Sequence, residues 1–514
     1  MKIFLKLFFF FIISSLNLLS QDQSSFFNDL TPGSYIPGFR HEEEIDFSRS
    51  YLSPDDGKPV PRKIHAYVWY PSIQSNSERM QFNEYVKLAA EDLGMEEKDR
   101  TEEWPFIPIP VLLDKGMSRD QLKELWNAKT ASIKNNEPAK GQFPLIILGQ
   151  GLYYESPLSQ FILCEYLASH GFVVITSPLV GTYYRLVNIN PVDVETQVRD
   201  MEFLISVACN LPFVDKEKIG VCGYDLGGIS GLLFCMRQPQ VKAFLSLDCS
   251  ILIPHYTGLP NTHQNYNEDQ FNIPWMHITQ SRVVNAIMGQ STISSLYDRK
   301  RFGDSYLLSI STTNHGSFTS YSNFNITNPV LRYWGDVLQN SKNIFHVVCE
   351  NALNFFNVYL KQKPGSLEYL KNFLDDENKN NSLVEVRMKS GEKTPPSKSF
   401  FISLIIEKEF DKALPEIENA RKEYADSLLF DENVMNWLGY HFLYWWGREK
   451  EALELFKLIV SVYPNSANAY DSLGESYMII GENDQAIKNY EKSLELNPDN
   501  QNAKNLLEQL RKGN

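Results

Sequence analysis

The segment Gly223-Tyr224-Asp225-Leu226-Gly227 is the part of the chain whose residue types and spacing point most directly to chemistry. Glycines on both sides of a central residue allow a strand to turn sharply into a helix, so that the central side chain is exposed as a nucleophile. The central residue is Asp225, and a carboxylate is already ionised at pH 7. The identity of residue 225 therefore decides which reaction this turn can support.

A nucleophile on such a turn works with a histidine that moves protons and an acid that orients the histidine. In the fold where this turn occurs, the three follow the chain order nucleophile, acid, histidine. Asp225, Asp248 and His315 satisfy that order, and we predict them as the catalytic residues. Asp248 ends an apolar run, and His315 lies in a polar loop that follows another apolar run.

Negative charge that develops in such a reaction needs backbone N–H donors. One donor is expected from Leu226, directly after the nucleophile, and the second from the loop after an earlier strand. The glycine-rich loop 149–152 follows a buried apolar run. We therefore predict the backbone N–H groups of Leu152 and Leu226 as the pair that binds the oxyanion.

The elements that must position these residues alternate between strand and helix, which is typical of an α/β fold. Continuous apolar runs such as these suit a parallel sheet that is covered on both faces. The sequence predicts a doubly wound, mostly parallel α/β sheet within residues 21–375, with an insertion or cap at 72–136 and an extended lead-in at 26–56. The predicted strands are 63–71, 143–148, 172–176, 219–222, 241–247, 275–278 and 306–310.

The C-terminal part has a different pattern. A polar, proline-containing stretch at 376–398 is predicted to be a linker, and residues 399–514 are predicted to be an all-α helical-repeat domain. Three pairs of identical residues are each separated by 34 positions: Gly447 and Gly481, Ala452 and Ala486, and Pro464 and Pro498. This spacing resembles the tetratricopeptide repeat, and it implies a protein or peptide partner.

Several segments of residues 35–360 together resemble the platelet-activating-factor acetylhydrolase family, near the dienelactone-hydrolase branch of the α/β-hydrolases. They are Pro37-Gly38-Phe39, Trp69-Tyr70-Pro71, the loop 149–152 with Gln150 in place of the family's histidine, the helix-to-strand junction 167–174, Leu247-Asp248 and the loop 314–318. The resemblance implies an α/β-hydrolase fold and hydrolysis of short acyl esters on small or lipid-like substrates. It implies no metal and no organic cofactor.

The chain departs from that family at the nucleophile, where the family has serine and this chain has Asp225. Attack of a carboxylate on an acyl carbon would give an anhydride, so ester cleavage should suffer. Gly-x-Asp-x-Gly is similar to the turn of epoxide hydrolases and haloalkane dehalogenases, in which a carboxylate attacks an sp³ carbon. Epoxide opening usually also needs tyrosine donors, for which Tyr153, Tyr154, Tyr183 and Tyr184 are available.

Three functions thus remain open from the sequence. The first is an ester hydrolase with altered chemistry, which the resemblance favours. The second is a hydrolase-like protein that has lost catalysis and binds a partner through its pocket or its repeats. The third is an epoxide or haloalkane hydrolase with Asp225 as nucleophile.

The remaining features concern export and general class. Residues 1–20 combine a basic start with a short apolar run, which predicts a secretory signal peptide and an exported, periplasmic or extracellular protein with no membrane span after cleavage. A net charge of −14 argues against binding to nucleic acid. The six cysteines lie in apolar runs without metal-ligand spacing, so we expect them to be buried and unpaired.

Overall fold

A computed structural model describes residues 26–52, 57–92, 118–152, 157–183, 185, 187–252, 263–288, 294–323, 341–379, 383–392, 405, 410–423 and 431–513. The chain forms two compact units, residues 1–393 and 394–514. The predicted signal peptide at 1–20 lies outside the described residues, as do Tyr153, Tyr154 and Tyr184.

The first unit is built on one ten-stranded sheet. In chain order the strands are β1 Ile36–Leu52, β2 Pro59–Ser72, β3 Ile133–Lys134, β4 Phe143–Gly149, β5 Val173–Thr176, β6 Val214–Tyr224, β7 Val241–Leu247, β8 Trp275–Gln280, β9 Ser305–Ile310 and β10 Val384–Lys389. Their order across the sheet is β10-β9-β8-β7-β6-β4-β5-β2-β1-β3. Of the nine pairs of neighbouring strands in the described residues, six are parallel, and β1–β2, β2–β5 and β9–β10 are antiparallel.

Helices cover both faces of this sheet. In chain order they are α1 Phe82–Asp92, α2 Arg119–Asn127, α3 Phe161–Ser169, α4 Pro191–Cys209, α5 Leu226–Arg237, α6 Ser281–Met288, α7 Leu296–Arg299, α8 Ser341–Lys361 and α9 Pro364–Lys379. Alternate residues of β4 enter different cores: Ile146 packs in the core that includes residues of α3 and α8, and Ile147 in the core that includes residues of α4 and α5. The prediction of a doubly wound, mostly parallel α/β sheet is confirmed.

The lead-in at 26–56 differs from its prediction, because residues 36–52 form the 17-residue strand β1. It pairs with β2 from Ile36 opposite Ser72 to Leu52 opposite Pro59, with an irregularity after Asp46. Nine of its 17 residues are charged or polar, so its sequence lacks the apolar alternation that marks a strand. Pairing with the long, buried strand β2 stabilises it instead.

The predicted linker at 376–398 is wrong in part. Residues 376–379 complete α9, and residues 384–389 form β10, which pairs with β9 at the edge of the sheet. Val384 and Val386 are buried, whereas Glu385 between them is exposed. The boundary between the compact units, at 393/394, lies in the last part of the predicted linker.

The described part of the predicted insertion packs against the sheet. Tyr85 of α1 is buried and accepts a hydrogen bond from the indole N–H of Trp69 in β2 at 2.7 Å. Tyr85 also donates to Glu165 at 2.9 Å. The same carboxylate accepts the backbone N–H groups of Ala131 and Ser132, so it fixes the chain after α2 to α3.

The second unit is helical: α10 Phe410–Glu423, α11 Glu432–Tyr444, α12 Glu449–Val462, α13 Ala467–Ile479, α14 Asn483–Leu496 and α15 Gln501–Gly513. Two equivalent close contacts join its helix pairs. A Cβ on Gly439 would lie 2.6 Å from the ring of Phe456, and a Cβ on Gly474 would lie 3.0 Å from the ring of Tyr490. The small residues of the predicted repeats therefore let paired helices approach closely.

All six cysteines are free, and five of them are buried, as expected from the sequence. Across the described ranges, no helix has both the length and the apolar character needed to cross a bilayer.

Candidate functional site

Asp225 lies at the turn between β6 and α5 with φ 51° and ψ −119°. A positive φ is uncommon for a residue with a side chain, and it occurs where the surrounding structure imposes it. Here the backbone N–H of Asp225 donates to Leu247 O at 3.1 Å, and its carbonyl accepts from the N–H of Gly228 at 3.0 Å. The turn therefore has the strained strand-to-helix geometry that the sequence pattern predicts.

The flanking glycines are required by close backbone approach. A Cβ on Gly223 would lie 2.3 Å from Gly227 O, and a Cβ on Gly227 would lie 2.2 Å from Gly149 C and O. Any side chain at either position would push α5 away from β6 or from the end of β4. The two glycines of the pattern are thus required for the packing of the turn, and the central residue is the one that serves the reaction.

Asp248 and His315 meet Asp225 at the carboxyl edge of the sheet. Asp248 directly follows β7, and His315 begins a short 3₁₀ helix after β9. The His315 Nδ1 and Asp248 Oδ2 atoms are 2.7 Å apart. The His315 Nε2 and Asp225 Oδ1 atoms are 3.7 Å apart. The three residues that were predicted from chain order are therefore brought together in the order acid, histidine, nucleophile.

The Asp248 carboxylate is almost fully buried and held by several donors. Its Oδ1 accepts from Thr279 Oγ1 at 2.8 Å and from the Gln280 N–H at 3.3 Å, and its Oδ2 accepts from Gln280 Nε2 at 2.6 Å. Burial alone would raise the pKa of Asp248, but the hydrogen bond from His315 and these donors lower it below its usual value. Asp248 is thus an ionised acceptor, so the proton of His315 stays on Nδ1.

Opposing effects act on the pKa of His315. Burial lowers it, whereas the hydrogen bond to Asp248 and the charges of Asp225 and Asp248 raise it, and the net result lies above the usual 6.5. The charge of Arg282 opposes this rise. Because Nδ1 holds a proton, Nε2 is the nitrogen that can accept one, and it faces Asp225.

The predicted oxyanion donor Leu152 binds Asp225 itself. Its backbone N–H donates to Asp225 Oδ2 at 2.8 Å. The two carboxylate oxygens therefore have different surroundings, with Oδ2 on the backbone donor and Oδ1 toward the histidine. The second predicted donor, Leu226, is the first residue of α5 and follows Asp225 directly.

Tyr224 is a residue of the site that the sequence reasoning did not single out. Its ring stacks on the imidazole of His315, with centroids 4.8 Å apart and planes at 24°. Its hydroxyl donates to the His315 carbonyl at 3.1 Å. Its position next to the nucleophile in the turn is the only sequence signal for this role.

Other candidate groups lie elsewhere. Tyr183 lines a cavity of about 580 Å³ together with Arg49, Arg62 and His263, and neither Asp225 nor His315 is among the residues that line it. Within the described ranges, no three His, Cys, Asp or Glu side chains are grouped so that they could hold a metal ion.

Comparison with known proteins adds two findings. A ferulic acid esterase from Streptomyces cinnamoneus is similar in structure at 17% sequence identity and a TM-score of 0.46, over 65% of this chain and 93% of that chain. No curated protein matches the sequence. The tetratricopeptide repeat family matches residues 467–500. The C-terminal unit therefore contains a tetratricopeptide repeat, whose two helices are α13 and α14.

Proposed function

We propose that this protein is a hydrolase in which the Asp225 carboxylate attacks a saturated carbon that carries a leaving group, as in an epoxide or an alkyl halide. The observation that carries the proposal is the hydrogen bond from the Leu152 N–H to Asp225 Oδ2 at 2.8 Å. That donor is the one expected to bind an oxyanion, and the oxygen bound to it belongs to the protein.

Acyl-ester hydrolysis requires the opposite arrangement. The donors of the oxyanion site must then bind the carbonyl oxygen of the substrate, whereas here the Leu152 N–H is engaged by Asp225. Attack by a carboxylate on the acyl carbon would also form an anhydride. The resemblance to the platelet-activating-factor acetylhydrolase family thus supports the scaffold, while the geometry around Asp225 favours attack on an alkyl carbon.

The reaction has two steps. In the first, Asp225 Oδ1 donates an electron pair to the substrate carbon, and the bond to the leaving group breaks with its electron pair on that group. A halide departs as its anion, whereas the oxygen of an epoxide stays attached to the substrate and takes a proton from water. In the second, water attacks Cγ of the resulting ester, and the negative charge develops on Oδ2. The alcohol then leaves, and the carboxylic acid of Asp225 loses its proton to the solvent, which regenerates the carboxylate.

The His315–Asp248 pair serves the second step. Nε2 of His315 takes a proton from the attacking water and returns it to the departing alcohol. Asp248, 2.7 Å from Nδ1, holds the imidazole in the required tautomer and stabilises its protonated form. Leu152 stabilises the charge on Oδ2, so each group has a role in breaking the covalent ester rather than in forming it.

The test is to trap that ester. His315→Gln should form the Asp225 ester and break it down very slowly. The mass of the intact protein should then rise by that of the alkyl bromide less hydrogen bromide, or by that of the whole epoxide. The panel is a set of short epoxides and primary alkyl bromides, and peptide mapping should place the added mass on Asp225.

Two variants control this experiment. Asp225→Asn should show no added mass, and His263→Gln, which changes a histidine paired with Glu195, should behave as the wild type. Added mass on other residues only, or none in folded His315→Gln with any member of the panel, would contradict the proposal.

The second candidate function is partner binding by the C-terminal unit, and it can coexist with catalysis. Three tryptophans within α11 or directly after it are exposed: Trp437 by 59%, Trp445 by 78% and Trp446 by 48%. His441 lies between them, with its ring 3.8 Å from Trp437 and 6.2 Å from Trp445. Tryptophan is enriched among the residues that contribute most of the binding energy at protein interfaces.

We propose a polypeptide partner with lysine or arginine side chains for this surface. A cation can stack on an indole ring, and Glu475 adds a carboxylate that accepts hydrogen bonds from Tyr440 and Tyr444. Titration with lysine- and arginine-rich peptides should quench tryptophan fluorescence. Trp445→Ala should weaken binding at least about 30-fold, since such anchors contribute about 2 kcal/mol or more, and Val434→Ala in α11 should not. Equal binding by both variants would exclude this surface.

Export is a further part of the proposal. It rests on the basic and apolar pattern of residues 1–20. N-terminal sequencing of the protein from an expressing bacterium should find a start near residue 21, and an intact Met1 would contradict it.

A further inference from the structure

The loop that carries Leu152 is held by a buried network of side-chain hydrogen bonds. Gln150, which follows β4, is completely buried. Its Nε2 donates to Thr176 Oγ1 at 2.9 Å, and its Oε1 accepts from Ser159 Oγ at 2.9 Å. Thr176 in turn donates to Leu148 O at 2.7 Å. The side chain of Gln150 thus joins the ends of β4 and β5 to the turn before α3.

The main chain of the same residue is fixed from the other side. The Gln150 carbonyl accepts a hydrogen bond from Gln197 Nε2 at 2.8 Å, and Ser230 Oγ donates to Gln197 Oε1 at 2.6 Å. Gln197 belongs to α4 and Ser230 to α5, and all three residues are buried. The orientation of the peptide group between residues 150 and 151 is therefore set by two helices.

The next residue explains why the loop needs such restraint. A Cβ on Gly151 would lie 2.7 Å from Asp225 Cβ and 2.8 Å from Tyr224 Cδ1, so only glycine allows the loop to approach the nucleophile. Glycine also has the widest choice of backbone conformations. Rotation at Gly151 would turn the Leu152 N–H away from Asp225, and residue 151 itself offers nothing to prevent it.

We infer that Gln150 and Gln197 are positioning residues that keep the Leu152 N–H directed at Asp225 Oδ2. The inference deepens the proposed function and rests on it for its kinetic part. Turning the peptide at 150–151 would separate the Gln150 carbonyl from Gln197, and an unpaired buried polar group is costly. The network therefore fixes the peptide group before Gly151, and only rotation within Gly151 itself is left to change the direction of the Leu152 N–H.

This role has an unequal effect on the two steps of the reaction. The charge on Oδ2 falls when Asp225 becomes an ester, and it rises when water attacks that ester. A donor on Oδ2 therefore favours ester breakdown and does nothing to speed ester formation. Removal of one oxyanion donor lowers rates by about 10²–10³-fold, so a misdirected donor should slow breakdown by about 10–100-fold with ester formation unchanged or faster.

The experiment uses Gln197→Met, which keeps the volume of the side chain and removes its amide. Ser230→Ala is the milder second variant, which loses only the anchor of Gln197. Asn351→Leu is the matched control, because Asn351 is a fully buried amide whose donor bonds to Val347 O within its own helix. Hydrogen exchange at the Leu152 amide is measured by mass spectrometry with residue resolution, and both half-reactions are measured in single turnover with an epoxide.

The expected result is that Leu152 exchanges up to about tenfold faster in Gln197→Met, with a smaller change in Ser230→Ala, because one buried hydrogen bond is worth about 1 kcal/mol. Ester breakdown should slow in the same order, and the control should match the wild type. Unchanged exchange at Leu152 in both variants would overturn the inference, as would faster exchange with equal slowing of both half-reactions. If the wild type forms no ester with any electrophile, the proposed function fails, while exchange at Leu152 still decides the positioning role.

Discussion

Asp225→Ser is the replacement whose outcome depends most closely on the local geometry. It removes the carboxylate that engages the Leu152 N–H at 2.8 Å. It places a hydroxyl on the same strained turn, close to His315 Nε2, which is 3.7 Å from Asp225 Oδ1 in the native protein. The freed N–H can then bind the carbonyl oxygen of an ester, and His315 can take the proton of the serine. The variant should therefore hydrolyse short acyl esters.

The size of the gain follows from the groups that become available. One oxyanion donor contributes about 10²–10³-fold to kcat, and a positioned base contributes about 10²–10⁴-fold. Such groups act as a unit, so their factors do not multiply. We expect a rise of at least about 10²-fold in kcat/KM for p-nitrophenyl acetate over the wild type, with loss of epoxide and alkyl bromide hydrolysis.

Two controls isolate the cause of that gain. Asp225→Ala frees the Leu152 N–H without supplying a nucleophile, and the double variant Asp225→Ser with His315→Ala supplies a nucleophile without its base. Both should stay at the background rate. If Asp225→Ser has the thermal midpoint of the wild type and is no more active than Asp225→Ala, the interpretation of the Leu152 contact as an oxyanion site is refuted.

The remaining predictions concern titration and packing. Burial lowers the pKa of His315, and the hydrogen bond to Asp248 and the charge of Asp248 raise it. The second step needs the neutral ring, so the rate of ester breakdown should rise as pH passes through the pKa of His315. Asp248→Asn removes the hydrogen bond and the charge that raise the pKa of His315, so the increase in rate should move to lower pH while the rate itself falls by about 10⁴-fold. Single-turnover measurements of ester breakdown from about pH 5 to 9 give both the pH profile and the rate. An unchanged pH profile in Asp248→Asn would mean that another group titrates. Gly439→Ala should destabilise the C-terminal unit by about 1–3 kcal/mol, because its Cβ would lie 2.6 Å from the buried ring of Phe456. Gly365→Ala, where a Cβ meets nothing within 4 Å, should not; hydrogen exchange in helices 432–462 is the readout, and equal exchange in both variants would argue against the close helix contact.

The strands in the centre of the sheet could be predicted because they are continuous apolar runs, such as 143–148 and 241–247. Such runs are typical of strands in a parallel sheet that is buried on both faces. The strands at 36–52 and 384–389 could not be predicted, because both contain many charged residues. Each is stabilised by pairing with a neighbouring strand, 59–72 for the first and 305–310 for the second. Their formation is decided by partners rather than by their own residues.

Some residues of the candidate site could likewise be predicted from the sequence, and others could not. A turn pattern and the chain order of functional groups were sufficient to select Asp225, Asp248 and His315, which the structure brings within contact. The stacking of Tyr224 on His315 joins residues 91 positions apart, and the bond from Leu152 to Asp225 spans 73 positions. These contacts depend on the path of each loop at the edge of the sheet, and that path cannot be predicted from a single sequence.

In the proposed reaction, Asp225 forms a covalent ester with the substrate. A single turnover with excess protein in ¹⁸O-labelled water, with an epoxide or alkyl bromide that reacts, distinguishes this route from direct attack by water. If Asp225 is the nucleophile, the product alcohol of the first turnover carries ¹⁶O from its carboxylate, and the peptide with Asp225 gains ¹⁸O. If ¹⁸O appears in the product of that first turnover and none enters Asp225, water attacks the substrate directly and the account is wrong.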